Sequence, residues 1–176
     1  MSLKTKIAAG GLTLASAGLL AMIVQWESRE NTAYADKLAG GVPTVCAGIT
    51  PATSPYPVIV GDYWDDATCE RVEKLVVAKA QLRLADCIYN DQVTQNVFDA
   101  LSDMAHNVGV ANVCASRAVG LINAGDIEAG CKAIAHAPSG KPVWSYVTSD
   151  GRKVFVRGLY NRRVAEMEIC LSGVSK

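Results

Sequence analysis

The chain has 176 residues, of which 50% are hydrophobic and 19% are charged, a composition that fits a globular protein and excludes a disordered one. The chain has 17 basic residues (lysine and arginine) and 17 acidic residues (aspartate and glutamate). This balance argues against a protein that binds nucleic acid through a basic surface. The charges are unevenly distributed, because no acidic residue precedes Glu27 whereas Lys4 and Lys6 do. The first 26 residues therefore differ in kind from the rest of the chain.

An uncharged apolar stretch covers residues 7–26 and ends at Trp26. A helix of this length, at about 1.5 Å per residue, spans roughly 30 Å, which is the thickness of a bilayer core. The lysines before it and the acidic residues after it predict an N-terminus inside the cell and residues 27–176 outside. Its glycines and alanines dilute its hydrophobicity. Three interpretations stay open: a cleaved signal peptide, a permanent anchor, or a marginal anchor that inserts and later leaves the membrane.

The next part of the chain is polar and then rich in turns. Residues 27–35 can continue the preceding helix. Prolines and glycines then exclude a helix, while Val42, Val45, Ile49 and residues 58–60 predict short strands in a small sheet.

Helical patterns dominate the remainder, because apolar residues recur at three- and four-residue steps. Helices are expected over about residues 65–89, 91–109, 114–124, 126–134 and 159–171. The turn sequence Ser149-Asp150-Gly151 between two apolar runs predicts a β-hairpin. A small N-proximal β-region followed by a mostly helical lobe is an α+β fold.

The cysteines indicate an oxidising compartment. All six lie in the part of the chain that is predicted to be exported: Cys46, Cys69, Cys87, Cys114, Cys131 and Cys170. An even number of dispersed cysteines, without the spacing of a zinc site, indicates disulfide bonds. Spacing alone leaves fifteen pairings open.

Carboxylates are the candidates for catalysis, because the sequence contains no common hydrolase, metalloprotease or nucleotide-binding motif. Glu27 directly follows the apolar stretch, and Asp36 lies next to the turn-rich region. A helix end that faces a small sheet makes a cleft, and two carboxyl groups in unlike surroundings suit general acid–base hydrolysis of a glycosidic bond. The spacing by itself fits equally a helix-flanking acid and a turn acid without a catalytic role.

Three ordered blocks of sequence resemble the phage-type lysozymes, glycoside hydrolase family 24. The stretch WESRENTAYADKLAGGVPTVCAGIT has the family's Glu, eight residues, Asp, and then a Thr followed by x-C/G-x-G-x-T. The blocks AHNVG with LINAGD, and GLYNRRVAEMEICL, resemble two later parts of the family pattern. The resemblance covers about residues 26–172 and implies a lysozyme-like α+β fold, with a small β-region and a mostly helical C-terminal lobe.

The apolar N-terminal segment looks like the signal-anchor-release sequences of a subset of these endolysins. Such segments are rich in glycine and alanine, are not cleaved, and end just before the catalytic Glu. The resemblance implies a signal-anchor segment over residues 1–26 and a catalytic domain over residues 27–176. It also implies export by host machinery, an inactive form anchored in the bacterial inner membrane through residues 7–26, and an active periplasmic form after release.

The resemblance also implies roles for single residues. Glu27 would be the general acid that protonates the leaving oxygen, and Asp36 would position the attacking water or act as its base. Thr44 would hold that water from the opposite side, although seven residues separate it from Asp36 where the family usually has five. Arg162 would lie close to Glu27 and support it, while an ordinary i,i+4 pair with Glu166 is the alternative.

Relatives of this type also suggest the disulfide pairs. They tie the position of Cys46 to that of Cys69 and the position of Cys131 to that of Cys170. Cys87 and Cys114 are left as the third pair.

The function implied is that of an endolysin that hydrolyses the β-1,4 bond between N-acetylmuramic acid and N-acetylglucosamine in peptidoglycan, causing host cell lysis. We expect no metal or organic cofactor, no nucleic acid partner, and a monomer after release. Two alternatives stay open. A lytic transglycosylase would keep the catalytic Glu without needing Asp36, and a non-catalytic, membrane-anchored peptidoglycan-binding protein would tolerate the loss of both acids.

Overall fold

A computed structural model describes residues 2–27, 29–37, 40–149 and 151–174, and in these residues the chain forms helices and two antiparallel strand pairs. The helices are α1 (Leu3–Ala8), α2 (Ala17–Trp26), α3 (Asp66–Leu84), α4 (Gln95–Val108), α5 (Val110–Cys114), α6 (Arg117–Asn123), α7 (Ile127–Ala135) and α8 (Arg157–Ser172). The strands are β1 (Glu30–Asp36), β2 (Val42–Cys46), β3 (Tyr146–Ser149) and β4 (Arg152–Phe155). The α+β class predicted from the sequence is confirmed.

The described residues form two compact units. The sheet unit runs from Ala15 to Lys79. The helical unit contains the described residues up to Leu14 together with those from Ala80 onward. The division between the units falls within α3.

Strands β1 and β2 form an antiparallel pair at the centre of the sheet unit. Tyr34 lies opposite Thr44 and Asp36 opposite Val42, and the register shifts between Glu30 and Tyr34. A small core lies beneath the pair and includes buried side chains from both strands, from the loop after them and from α3. Its members are Ala33, Val45, Cys46, Ile49, Val58, Cys69 and Val72.

The predicted continuation of a helix through residues 27–35 is wrong. Helix α2 ends at Trp26, and the chain turns into strand β1. The strand gains a second backbone partner from a later segment, because the Ala33 amide donates to the Asp62 carbonyl and the Gly61 amide donates to the Ala33 carbonyl. Residues 58–60, predicted as a strand, are not one; the backbone just after them makes this pairing instead.

Helix α4 lies at the centre of the helical unit. Val97, Phe98, Leu101 and Met104 on α4 are all fully buried, at the spacing that the sequence predicts for a helix face. Helix α8 packs against α4 and α7, and α7 packs against α6. The approach of α6 and α7 requires Gly130, because a Cβ atom there would lie 2.4 Å from Ile122 Cγ1.

Most of the predicted helices are confirmed, with different ends. The predicted helix to residue 89 ends at Leu84, and the next begins at Gln95 instead of residue 91. Gly109, at φ +89°, ends α4, and the short helix α5 that follows was not predicted. Strands β3 and β4 form the predicted hairpin. Asp150, which belongs to the predicted turn of this hairpin, lies outside the described residues.

The apolar stretch over residues 7–26 is not one helix in this structure. Helix α1 ends at Ala8, and the backbone then adopts positive φ at Gly10. Helix α2 begins after Ser16, whose hydroxyl oxygen accepts a hydrogen bond from the Leu19 amide at 3.0 Å. Within the described ranges, no helix combines the length and the apolar character that crossing a membrane requires.

The start of the chain is instead built into the helical unit. Leu3 and Leu12 are buried in its apolar core. The Lys6 ammonium group donates hydrogen bonds to the backbone carbonyls of Asp91 at 2.8 Å and Val93 at 2.9 Å. Apolar and polar contacts together therefore hold this segment in place.

Candidate active site

Glu27 stands at the point where α2 gives way to strand β1. Its amide donates to the Ile23 carbonyl at 2.9 Å, closing the last turn of α2, while its own backbone is extended. Leu19 and Ile23 fix the helix by packing on Ala47 and Val77 within the sheet unit. The buried face of α2 thus determines where the half-buried Glu27 lies.

Asp36 and Thr44 are brought together by the β1–β2 pair. Asp36, which is half-buried, lies opposite Val42, and Thr44 is two residues further along β2. The two extra residues in this sequence therefore do not remove Thr44 from the strand next to Asp36. The Thr44 hydroxyl is buried and donates to the Val42 carbonyl at 3.1 Å, so its oxygen can still accept a hydrogen bond from a water.

Tyr34 links the two candidate acids electrostatically. The pKa of its phenol is raised above the ordinary value of 10.0, first by partial burial and then by the charges of Asp36, Glu30 and Glu27. Both candidate acids therefore lie within electrostatic reach of one side chain in the sheet unit. Tyr34 was not identified from the sequence, because residues 27–35 were expected to be helical and only the observed strand places Tyr34 on the same face as Asp36.

An ion pair fixes the segment that follows Glu27. The Arg29 guanidinium donates to Glu73 Oε2 at 2.6 Å, and Glu73 Oε1 accepts from the Ala47 amide at 3.1 Å. Glu73 is only 6% exposed. One carboxylate on α3 thereby holds both the start of β1 and the loop after β2, a contact that no local sequence pattern signals.

Arg162 belongs to a buried cluster of charges in the helical unit. Its guanidinium donates two hydrogen bonds of 3.0 Å to the carboxylate of Asp103. Glu166 lies 3.5 Å from it, so the i,i+4 neighbour is present, but Asp103 is the better partner. The role of Arg162 toward Glu27 stays a prediction.

The neighbouring pair in this cluster is strongly affected by burial. Arg163 donates to Glu166 at 2.5 Å, and both side chains are fully buried. Loss of hydration lowers the pKa of Arg163 and raises the pKa of Glu166 well above its ordinary value.

The three predicted disulfides are confirmed. The structure joins Cys46 to Cys69 in the sheet unit, and Cys87 to Cys114 and Cys131 to Cys170 in the helical unit. In the part of the chain that the structure describes, no group of three or more His, Cys, Asp or Glu side chains could hold a metal ion.

Comparison with known proteins gives consistent matches across most of the chain. The family model described as phage lysozyme matches residues 24–166. The SAR-endolysin of Pseudomonas phage phiKMV is 35% identical over 175 residues, covering 94% of this chain and 92% of that protein. The SAR-endolysin of Enterobacteria phage P21 is 30% identical over 133 residues, covering 76% of this chain and 71% of that protein.

A solved structure agrees with the sequence matches. The endolysin from Escherichia coli O157:H7 phage FAHEc1 superposes with a TM-score of 0.76 at 30% identity. The alignment covers 93% of this chain and 96% of that one.

Proposed function

Because the chain belongs to the phage lysozyme family, we propose that Glu27, Asp36 and Thr44 form its catalytic site and that its N-terminal segment controls when that site is active. The protein is a lysozyme-type glycosidase, an endolysin that hydrolyses peptidoglycan in host cell lysis. Its lysozyme-like α+β fold is the one expected from the sequence.

The observation that supports the proposed site most strongly is the arrangement in the sheet unit. Asp36 and Thr44 stand on paired strands, and the charges of Glu27 and Asp36 both act on the phenol of Tyr34. Two carboxyl groups near one surface are what acid–base cleavage of a glycosidic bond requires. The matched region of the family model contains all three proposed residues.

The proposed chemistry assigns one proton movement to each acid. Glu27, in its protonated form, gives its proton to the glycosidic oxygen as the C–O bond breaks. Asp36, as a carboxylate, accepts a proton from the attacking water. The Thr44 oxygen accepts a hydrogen bond from the same water, because its own hydroxyl hydrogen is directed to the Val42 carbonyl. Attack by water on the face opposite the leaving group gives an inverted product.

A supporting role for Arg162 is part of the proposal and rests on the sequence resemblance. Asp103 holds the guanidinium in a defined orientation through two hydrogen bonds.

We further propose that residues 7–26 anchor the protein in the bacterial inner membrane before release, with the N-terminus in the cytoplasm. Two relatives are named SAR-endolysins, which supports this order of events. The apolar side chains that would face lipid have a second use in the present structure, where Leu12, Leu19 and Ile23 are buried in protein. We assign this structure to the released form in the periplasm. We propose that this form is a monomer and that host machinery exports the protein before release.

The proposed catalytic acid is tested by replacing Glu27. Glu27→Gln is expected to abolish lysis and peptidoglycan hydrolysis while export and the amount of protein stay unchanged. Glu30→Gln is the matched control, because Glu30 is an exposed carboxylate three residues away, and it should keep activity. Normal lysis by Glu27→Gln would refute the assignment.

The remaining alternatives are separated by the products and by fractionation. Hydrolysis yields a new reducing end, whereas a lytic transglycosylase yields a 1,6-anhydro sugar.

Collapsing the membrane potential with an ionophore should move the uncleaved protein from the membrane fraction to the soluble fraction, and lysis should follow. Retention in the membrane would indicate a permanent anchor, and a shortened soluble product would indicate a signal peptidase.

A further inference from the structure

One aromatic side chain shares the strand pair with two of the proposed catalytic residues. Tyr34 is 40% exposed. It precedes Asp36 by two residues on β1, and alternate residues of a strand project from the same face. It also lies directly opposite Thr44 on β2, and residues that face each other across a strand pair have side chains on one face. The register is regular from Tyr34 to Asp36, so the ring shares a face with both.

The charges of the proposed catalytic acids also act on the same phenol. The negative charges of Asp36, Glu30 and Glu27 each act on the Tyr34 side chain. Burial first, and then these charges, raise the pKa of the phenol above its ordinary value of 10.0, so the side chain is uncharged in neutral solution. A glycan that reaches the proposed site therefore meets a neutral aromatic ring at this position.

We propose that Tyr34 is a substrate-binding residue that packs its ring against an N-acetylhexosamine unit of the glycan strand, beside Asp36 and Thr44. The inference rests on the proposed function and names a contact that binds the substrate. The apolar C–H face of a pyranose ring fits the face of an aromatic ring, and tyrosine presents a large apolar surface with a polar tip. A ring that served only to fill the core would be enclosed, as Phe98 is in the helical unit.

Steady-state kinetics on purified peptidoglycan test the proposal with three variants. Tyr34→Ala removes the ring and is expected to raise KM about tenfold while kcat stays within about threefold of wild type. Tyr34→Phe keeps the ring and should keep KM close to wild type. Tyr56→Ala is the matched control, because Tyr56 is 47% exposed in the same unit but lies outside the β1–β2 pair, and its KM should not change.

Binding measured without turnover separates this inference from the proposed function. In the inactive Glu27→Gln background, titration calorimetry with a soluble tetrasaccharide of N-acetylglucosamine and N-acetylmuramic acid should show about tenfold weaker binding when Tyr34→Ala is added. Tyr34→Leu, which keeps apolar bulk without the ring, covers the case in which the alanine variant does not fold. Melting curves of each variant establish that it is folded.

Two results would overturn the inference. One is unchanged affinity and KM in a folded Tyr34→Ala or Tyr34→Leu variant. The other is a loss confined to kcat, which would assign the ring to the chemical step. Either result leaves the proposed function intact if Glu27→Gln is inactive, whereas an active Glu27→Gln refutes the proposed function regardless of what Tyr34 does.

Discussion

The Arg29 guanidinium lies 2.6 Å from the carboxylate of Glu73, and this ion pair ties the chain just after Glu27 to helix α3. The Glu73 side chain is nearly buried, and its second oxygen accepts the Ala47 amide. One residue on α3 therefore supports two parts of the proposed site.

Removing this carboxylate should weaken both stability and activity. Glu73→Ala leaves the Ala47 amide and the Arg29 guanidinium without this acceptor, so we expect the free energy of unfolding to fall by about 2 kcal/mol. Activity should fall as well, because the segment that carries Glu27 loses a fixed contact. Denaturant unfolding of the purified protein measures the first effect. Lys74→Ala, at the exposed neighbouring position, is the control, and equal losses in the two variants would contradict the expectation.

The raised pKa of Tyr34 predicts a dependence of stability on alkaline pH. Because the folded-state pKa lies above 10.0, the folded protein binds the phenolic proton more tightly than the unfolded chain does. This contribution to stability is fully present below the unfolded-state pKa and is lost as the pH rises through the folded-state pKa. Wild type should therefore lose stability relative to Tyr34→Phe as the pH rises above about 10.

The same variant identifies the ionisation directly. Subtracting the ultraviolet absorbance titration of Tyr34→Phe from that of wild type isolates the Tyr34 tyrosinate. Its midpoint is expected above pH 10.0, because burial and three carboxylates oppose the phenolate. A midpoint at or below that pH would show that the carboxylates do not act on the ring as the structure indicates.

The sequence predicts the long periodic helices well, and it fails where distant segments decide the structure. Helix α4 was expected because its buried residues recur at helical spacing. Residues 27–35 were expected to be helical, yet the Ala33 backbone is paired with Gly61 and Asp62, which lie almost thirty residues further along the chain. Local preference carries no information about such a partner.

The apolar N-terminal stretch shows a second reason why a sequence does not determine where its residues lie. Lipid and a protein core select the same side chains, so the hydrophobicity of residues 7–26 fits both environments. Burial of Leu12 and Leu19 in this structure could not be deduced from composition.

Part of the candidate site could be predicted from the sequence and part could not. Glu27 and Asp36 could be identified because their spacing along the chain is part of a family pattern. The groups that hold the neighbouring residues could not, because the Arg29–Glu73 contact spans 44 residues and the Arg162–Asp103 contact spans 59. Ion pairs between residues so far apart in the sequence depend on how the helices and strands pack, and residue spacing gives no information about that packing.

The buried Arg162–Asp103 pair is expected to matter far more than an exposed pair in the same unit. Asp103→Ala removes two hydrogen bonds from a guanidinium that is almost wholly buried, which should cost about 3 kcal/mol or more. Asp86→Ala removes the partner of Lys4 at the surface, where water screens the charges, and should cost less than about 1 kcal/mol. Chemical denaturation of both variants gives the comparison. Similar losses of unfolding free energy in the two variants would show that burial does not determine how much these ion pairs contribute to stability.

Leu3 separates the packing of the N-terminal segment in this structure from the membrane-anchoring role that we propose for residues 7–26. Its side chain is fully buried in the core of the helical unit, although it precedes the apolar stretch over residues 7–26. Leu3→Ala should therefore lower the free energy of unfolding of the released enzyme by about 2–5 kcal/mol, the usual cost of deleting buried leucine atoms. Insertion into the membrane before release should be unchanged.

The control for this last experiment lies inside the apolar stretch. Val24 is 47% exposed in the structure, so Val24→Ala should cost less than about 1 kcal/mol in the released enzyme. Thermal unfolding of the soluble protein and fractionation of cells before release provide the two measurements. A released enzyme that tolerates Leu3→Ala as well as Val24→Ala would mean that the start of the chain does not pack into the helical unit in the active form. A destabilised Leu3→Ala enzyme that still inserts normally would show that Leu3 contributes to the protein core and is not needed for membrane insertion.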